Sequence, residues 1–172
     1  MEYTSYTLAD EPFHFDIAVH FPDEQRRLLE SAMSAVTIAG PSDVPTLEEQ
    51  LNTQLEARGY LWDKRHKEKC TLWRPDFRMS LDFFHEEHKI GIEVEKTEVK
   101  RVIHDFLKLI NGSMTFVPRI RYGVIIHPKT YKRESGKESE FSGRVFNEVP
   151  FYFKRLILNT LLNDVLFLVY EF

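Results

Sequence analysis

A chain of 172 residues with 42% apolar and 13% aromatic side chains can build a core of its own, which excludes a disordered or fibrous polymer and favours one domain over residues 1–172. No run of about 18 uninterrupted apolar residues occurs, so no membrane span is expected. The opening MEYTSYTLADEP lacks the basic and apolar regions of a secretory signal, so the cytoplasm is the default compartment, and a single cysteine, Cys70, excludes an internal disulfide.

FPDEQRRLLESAMSAV predicts a first helix, with Asp23 as its N-cap and Leu28, Leu29, Met33 and Val36 as its apolar stripe. After the breaker AGPSDVP, TLEEQLNTQLEARGY predicts a second helix: Thr46 and Glu49 have capping-box spacing, Leu47, Leu51 and Leu55 recur every four residues, and Gly59 suits the C-terminal cap. Residues 60–73 give a mixed signal. RMSLDFF and KIGIEVEK are strand-like and flank the polar HEEH, which predicts a hairpin. TEVKRVIHDFLKLIN is a helix with Val99, Val102, Ile103, Phe106 and Ile110 on one stripe. IRYGVIIHP is a β-branched run expected of a strand covered on both faces. Residues 129–149 are polar and read as a long surface loop or functional arm. PFYFKRLILNTLLND, beginning at Pro150, is the last helix and VLFLVYEF the last strand. This order predicts an α/β fold around a mixed sheet.

The alternation in KIGIEVEK places Ile92 and Val94 on one side of a strand and Glu93 and Glu95 on the other. If HEEH turns the chain, Asp82 comes opposite them and three carboxylates converge. Two like charges about 4 Å apart repel by roughly 4 kcal/mol at an effective dielectric near 20, so such a cluster needs compensation: a hard divalent cation, a protonated carboxyl, or a base such as Lys89. A solvated strand face carrying glutamates is the alternative, and spacing leaves both open. The charge balance is also uneven. Residues 1–60 hold 11 acidic and 3 basic side chains, residues 61–172 hold 16 and 20, and between Arg119 and Arg144 seven Lys or Arg stand against three Glu. A basic segment of that kind can contact phosphates or simply be solvated.

LDFFHEEHKIGIEVEK, followed by VIHDFLKL and IRYGVIIHP, resembles the core of the PD-(D/E)XK nuclease superfamily, in the type II restriction endonuclease branch of BamHI and BglII, over about Arg78–Pro128. The resemblance implies a restriction-endonuclease-like mixed sheet, with an antiparallel hairpin, a crossover helix and a parallel strand, flanked by helices on both faces. It implies that Asp82 and Glu93 bind metal and that Glu95, where lysine is usual, completes a Glu-x-Glu motif. Asp76, next to Pro75, is the alternative motif aspartate. The helix before the site often adds an acid in this family, and Glu48 is preferred to Glu49 for that place. Lys96, directly after Glu95, is expected to point to the opposite face. Lys100, Arg101, His104, Asp105 and Lys108 on the following helix suit either DNA or solvent.

By the same resemblance the reaction is Mg²⁺-dependent hydrolysis of DNA phosphodiesters, with Mn²⁺ as a substitute, to 5′-phosphate and 3′-hydroxyl ends, Glu95 serving as general base. A homodimer on double-stranded DNA and a cognate methyltransferase encoded nearby belong to that picture. DNA contacts are expected from Lys132, Arg133, Lys137 and Arg144 on the arm, with Lys100. Two other readings keep the fold: a repair, mobile-element or structure-specific nuclease, and an inactive binding subunit.

Overall fold

The computed structural model describes residues 2–38, 45–74, 77–96, 99–114, 120–132, 138–153 and 162–171. Its elements in chain order are β1 (Glu2–Thr7), α1 (Asp23–Ala35), α2 (Leu47–Leu55), β2 (Tyr60–Trp62), α3 (Asp63–Cys70), β3 (Thr71–Arg74), β4 (Phe77–Ser80), β5 (Phe83–His85), β6 (Ile90–Val94), α4 (Val99–Ser113), β7 (Tyr122–Pro128), β8 (Thr130–Lys132), β9 (Glu138–Glu140), α5 (Ser142–Phe153) and β10 (Asp164–Glu171). Six strands form one mixed sheet in the order β1-β10-β7-β6-β5-β2. Within it β6, β7 and β10 run parallel, while β1, β5 and β2 attach antiparallel. No helix among the described residues is long and apolar enough to cross a membrane.

Period-two alternation along the buried strands divides the core into two layers. Ile92 and Val94 of β6, Val124 and Ile126 of β7 and Leu166 and Leu168 of β10 pack with Leu29, Met33, Leu47, Leu51 and Leu55 from α1 and α2. On the other side Ile125, Val165 and Phe167 meet Val102, Phe106, Leu109 and Ile110 of α4 and Val145 and Val149 of α5. Thus the expected double cover of β7 is present. Gly91 and Gly123 are cross-strand partners on β6 and β7. A Cβ on Gly123 would stand 2.7 Å from Leu109 Cδ1, and one on Gly91 would be 3.0 Å from Ile120 Cδ1. The missing side chains let α4 lie close over the sheet.

Several local expectations change. Pro22, extended at φ −62° and ψ 122°, occupies the N-cap of α1, so Asp23 is its first helical residue and meets the helix dipole instead. Thr46 does stand at the N-cap of α2, without a side-chain cap bond. Its hydroxyl accepts the Gln50 amide at 3.0 Å, and the capping box with Glu49 is not formed. Gly59 closes the helical turn Glu56–Arg58 with φ 86°. RMSLDFF is two strands: β4 pairs with β3 in a separate ribbon, and β5 enters the main sheet. The break at Leu81 and Asp82 is fixed by Leu81 N–H donating to Cys70 O at 3.1 Å and Asp63 N–H donating to Asp82 O at 3.0 Å. Of residues 129–149 the described ones form β8, β9 and most of α5, where a loop or arm was expected, residues 133–137 lie outside the described residues, and α5 begins at Ser142 with Pro150 inside it. Phe141, Val145 and Val149 bury one face of that segment, and burial outweighs the Ser-Gly pair that suggested a loop. Beyond Phe153 the predicted helix lies outside the described residues as far as 161, and its last residue, Asp164, opens β10 instead.

Candidate active site

The β5–β6 hairpin turns through residues 86–89, with Lys89 at φ 56°. Its register, Phe83 opposite Ile92, brings Asp82 beside the end of β6, where the Val94 N–H donates to Asp82 Oδ2 at 2.7 Å. Here β6 ends and a cavity of about 430 Å³ opens between α2 and α4. Five carboxylates line it, Glu48, Asp82, Glu93, Glu95 and Asp105, together with Lys96, Arg101, His104 and Lys108. Asp82, Glu93, Glu95 and Glu48 therefore line one cavity. Asp76 lies outside the described residues.

Glu93 is the most enclosed of these acids, at 1% exposure. Its Oε2 accepts from Lys108 Nζ at 2.6 Å, while its Oε1 is buried with no hydrogen-bond partner among the described residues. Burial and the neighbouring Asp82 push its carboxyl well above the ordinary range, and Lys108 opposes them. Burial likewise pushes Asp82 up to about 7, against the Val94 amide, with Glu48 adding to the rise. Asp105, raised by burial, lies 3.3 Å from Lys108 Nζ. Burial pulls the Lys108 ammonium down, yet Glu93 and Asp105 together hold it above its ordinary value.

Lys96 overturns its expectation. Rather than pointing to the opposite face it pairs with Glu48 Oε1 across the cavity, and Lys64 Nζ lies 3.6 Å from the other oxygen of the same carboxylate. β6 stops at Val94, so strict alternation no longer governs residue 96. Its N–H donates to Glu95 Oε1 at 2.9 Å. Among the described residues no group of three or more His, Cys, Asp or Glu side chains is arranged to hold a metal ion. The three expected carboxylates line the same cavity, and Lys108 is lodged between Glu93 and a further acid, Asp105.

In the sequence Asp105 and Lys108 stand out only as members of a charged helix face. A signal was present: Asp105 is three residues after Val102 and four before Leu109, inside the apolar stripe of α4, where a carboxylate needs a partner. Of the expected DNA contacts, Arg144 sits on α5 rather than a loop and pairs with Glu148 at 3.1 Å. Lys132 ends β8 opposite Glu138, Lys100 lies in the first turn of α4, and Arg133 and Lys137 lie outside the described residues. Cys70 is fully buried, its Sγ 3.2 Å from Leu61 O, and is no exposed nucleophile.

Among solved structures the chain is similar to a restriction endonuclease described as "Crystal structure of restriction endonuclease BGLII complexed with DNA 16-mer", with a TM-score of 0.59 and 12% identity over 99% of this chain and 78% of that one. At that identity the likeness concerns the fold: the mixed sheet flanked by helices is the restriction-endonuclease fold. A search of curated protein sequences finds no match. The family model described as "Putative halobacteria restriction endonuclease" matches residues 21–166, a span that includes every acid lining the cavity. The chain belongs to that family and is a restriction-endonuclease-like nuclease.

Proposed function

We propose that the chain is a Mg²⁺-dependent DNA endonuclease of restriction type, with Asp82 and Glu93 as metal ligands, Glu48 as a further acid at the same ion and Glu95 as general base. The observation that carries this reading is the Glu93 carboxyl, buried in the wall of the cavity with Oε1 lacking a hydrogen-bond partner among the described residues. Burial raises the pKa of that carboxyl by disfavouring its charged form, and a bound cation would reverse this by favouring the charge. The donors at hand are all oxygens, which fits a hard ion such as Mg²⁺, or Mn²⁺ in its place. When bound, such an ion supplies charge neutralisation at the scissile phosphate and lowers the pKa of a water.

The protein's own part is positional. The Val94 amide fixes Asp82 Oδ2, and the Lys96 amide fixes Glu95 Oε1. Glu95 then takes the proton of the attacking water, and the products are a 5′-phosphate and a 3′-hydroxyl. The similar structure carries a DNA 16-mer, which supports DNA as substrate, here taken as the double strand. Arg101 and His104 at the mouth of the cavity, with Lys100, Lys132, Arg133, Lys137 and Arg144, form the proposed phosphate and base contacts. The reading extends to a homodimer acting on a palindrome, a cytoplasmic location and a methyltransferase encoded nearby.

The test is digestion of plasmid, phage DNA and a structured RNA by the purified chain with Mg²⁺, beside EDTA and Glu93→Ala controls. Discrete DNA fragments that both controls abolish are expected. Cutting only at junctions or ends would move the reading to a structure-specific nuclease. No cutting under any condition, with Glu93→Ala changing stability alone, would leave a binding subunit.

A further inference from the structure

Lys108 has an acceptor for each of its protons. Its ammonium has three protons, and three acceptors meet it: Glu93 Oε2 at 2.6 Å, Asp105 Oδ1 at 3.3 Å and the Ser80 carbonyl at 3.3 Å. The side chain is 15% exposed and that of Glu93 2%. A bridge that served only to clamp α4 to β6 would be expected to leave no acceptor over. This one leaves Glu93 Oε1 buried without a donor among the described residues, beside the Asp105 carboxyl and in the wall of a cavity lined by further carboxylates. The ammonium therefore occupies one of the two Glu93 oxygens.

We propose that Lys108 is the resident counter-ion of the site, holding Glu93 by charge and competing with a divalent cation for that carboxylate. The inference rests on the reading of Glu93 as a metal ligand. Without a divalent ion, Lys108 offsets the repulsion between Glu93, Asp105 and Asp82. A divalent cation that takes Glu93 has to displace the ammonium, which weakens ion binding in the free protein. The lysine arrives from the helix and not from the Glu-x-Glu strand, so its presence depends on the close approach of α4 that Gly91 and Gly123 permit. Lys108 is thus a positioning residue that sets how readily the site accepts metal.

The experiment is Mn²⁺ binding by calorimetry and by the electron-spin signal of free Mn²⁺, at pH 8 and without DNA. It compares the unaltered chain with Lys108→Met, Lys108→Arg and Glu93→Gln. Removing one adjacent positive charge should tighten Mn²⁺ binding about tenfold or more, whereas Lys108→Arg should bind as the unaltered chain and Glu93→Gln far more weakly. Equal affinity in Lys108→Met, with Glu93→Gln still weakened, overturns the counter-ion and leaves the metal site standing. Equal affinity in Glu93→Gln removes the metal reading at Glu93, and the counter-ion with it. Should Lys108→Met not fold, acetylation of Lys108 in the unaltered chain decides the matter by mass spectrometry. Labelling several-fold faster in saturating Mn²⁺ supports displacement, and an unchanged rate contradicts it.

Discussion

The Val94 amide and the Asp82 carboxylate are joined at 2.7 Å, so the backbone at the end of β6 fixes an acid that the neighbouring strand delivers. Burial nonetheless pushes Asp82 up to about 7, because one hydrogen bond does not repay the lost hydration. A raised carboxyl pKa disfavours the charged form in the folded state, so stability declines as pH rises from the ordinary carboxylate range to about 7. Asp82→Asn keeps an oxygen for the Val94 amide and removes the charge. At pH 8 it should raise stability by about 1–2 kcal/mol while lowering DNA cleavage by at least about 10²-fold. Calorimetric melting and a plasmid-nicking rate check the two halves.

The Glu48–Lys96 pair spans the cavity with side-chain exposures of 10% and 24%. A double-mutant cycle with Glu48→Gln and Lys96→Met should return a coupling of about 1 kcal/mol in urea unfolding, above the usual surface pair. A coupling near zero would mean that Lys96 is held there by packing alone.

His127 of β7 is fully buried, its ring stacked on Phe141, and burial lowers its pKa to about 4. Its Nε2 has no hydrogen-bond partner among the described residues, and Nδ1 lies 2.9 Å from the Pro128 carbonyl. The folded protein keeps the ring neutral, whereas the unfolded chain takes up a proton near 6.5. Stability from this residue is therefore complete above about 6.5 and declines as pH falls towards 4, by about 3 kcal/mol in all. Buried acids with raised values, Asp164 among them, oppose the trend. The check is the difference between the unaltered chain and His127→Phe in denaturant unfolding from pH 7 to pH 4. The variant should gain steadily on the unaltered chain as pH falls.

Gly123→Ala puts a methyl 2.7 Å from Leu109 Cδ1. Overpacking of this kind costs about 1–3 kcal/mol, and it lifts the helix that carries Asp105 and Lys108. Thermal melting should fall, and cleavage should fall with it although residue 123 does not line the cavity.

The sheet's centre was legible because its signals agree. Alternation in KIGIEVEK, the doubly covered run at 120–128 and the stripe of α4 agree on one sheet, and the hairpin puts Asp82 at the end of β6 that carries Glu93. What escaped has physical reasons. Residues 63–70 are charged almost throughout and helical, with only Cys70 buried, so no apolar period marks α3. Ser142 and Gly143 hid the start of α5. Lys96 looked wrong-facing because β6 was expected to continue past Val94. Lys108 was hidden by its type: a lysine beside an apolar stripe reads as solvated until a buried acid on another element comes within reach.

The most direct measurement of the central claim is anomalous scattering from a crystal of the chain with double-stranded DNA and Mn²⁺. The account predicts a single strong peak bonded to oxygens of Asp82 and Glu93, with Lys108 no longer bound to Glu93, and its loss in a Glu93→Gln crystal. A peak that survives that substitution, or one bound elsewhere in the cavity while Lys108 still holds Glu93, would contradict it.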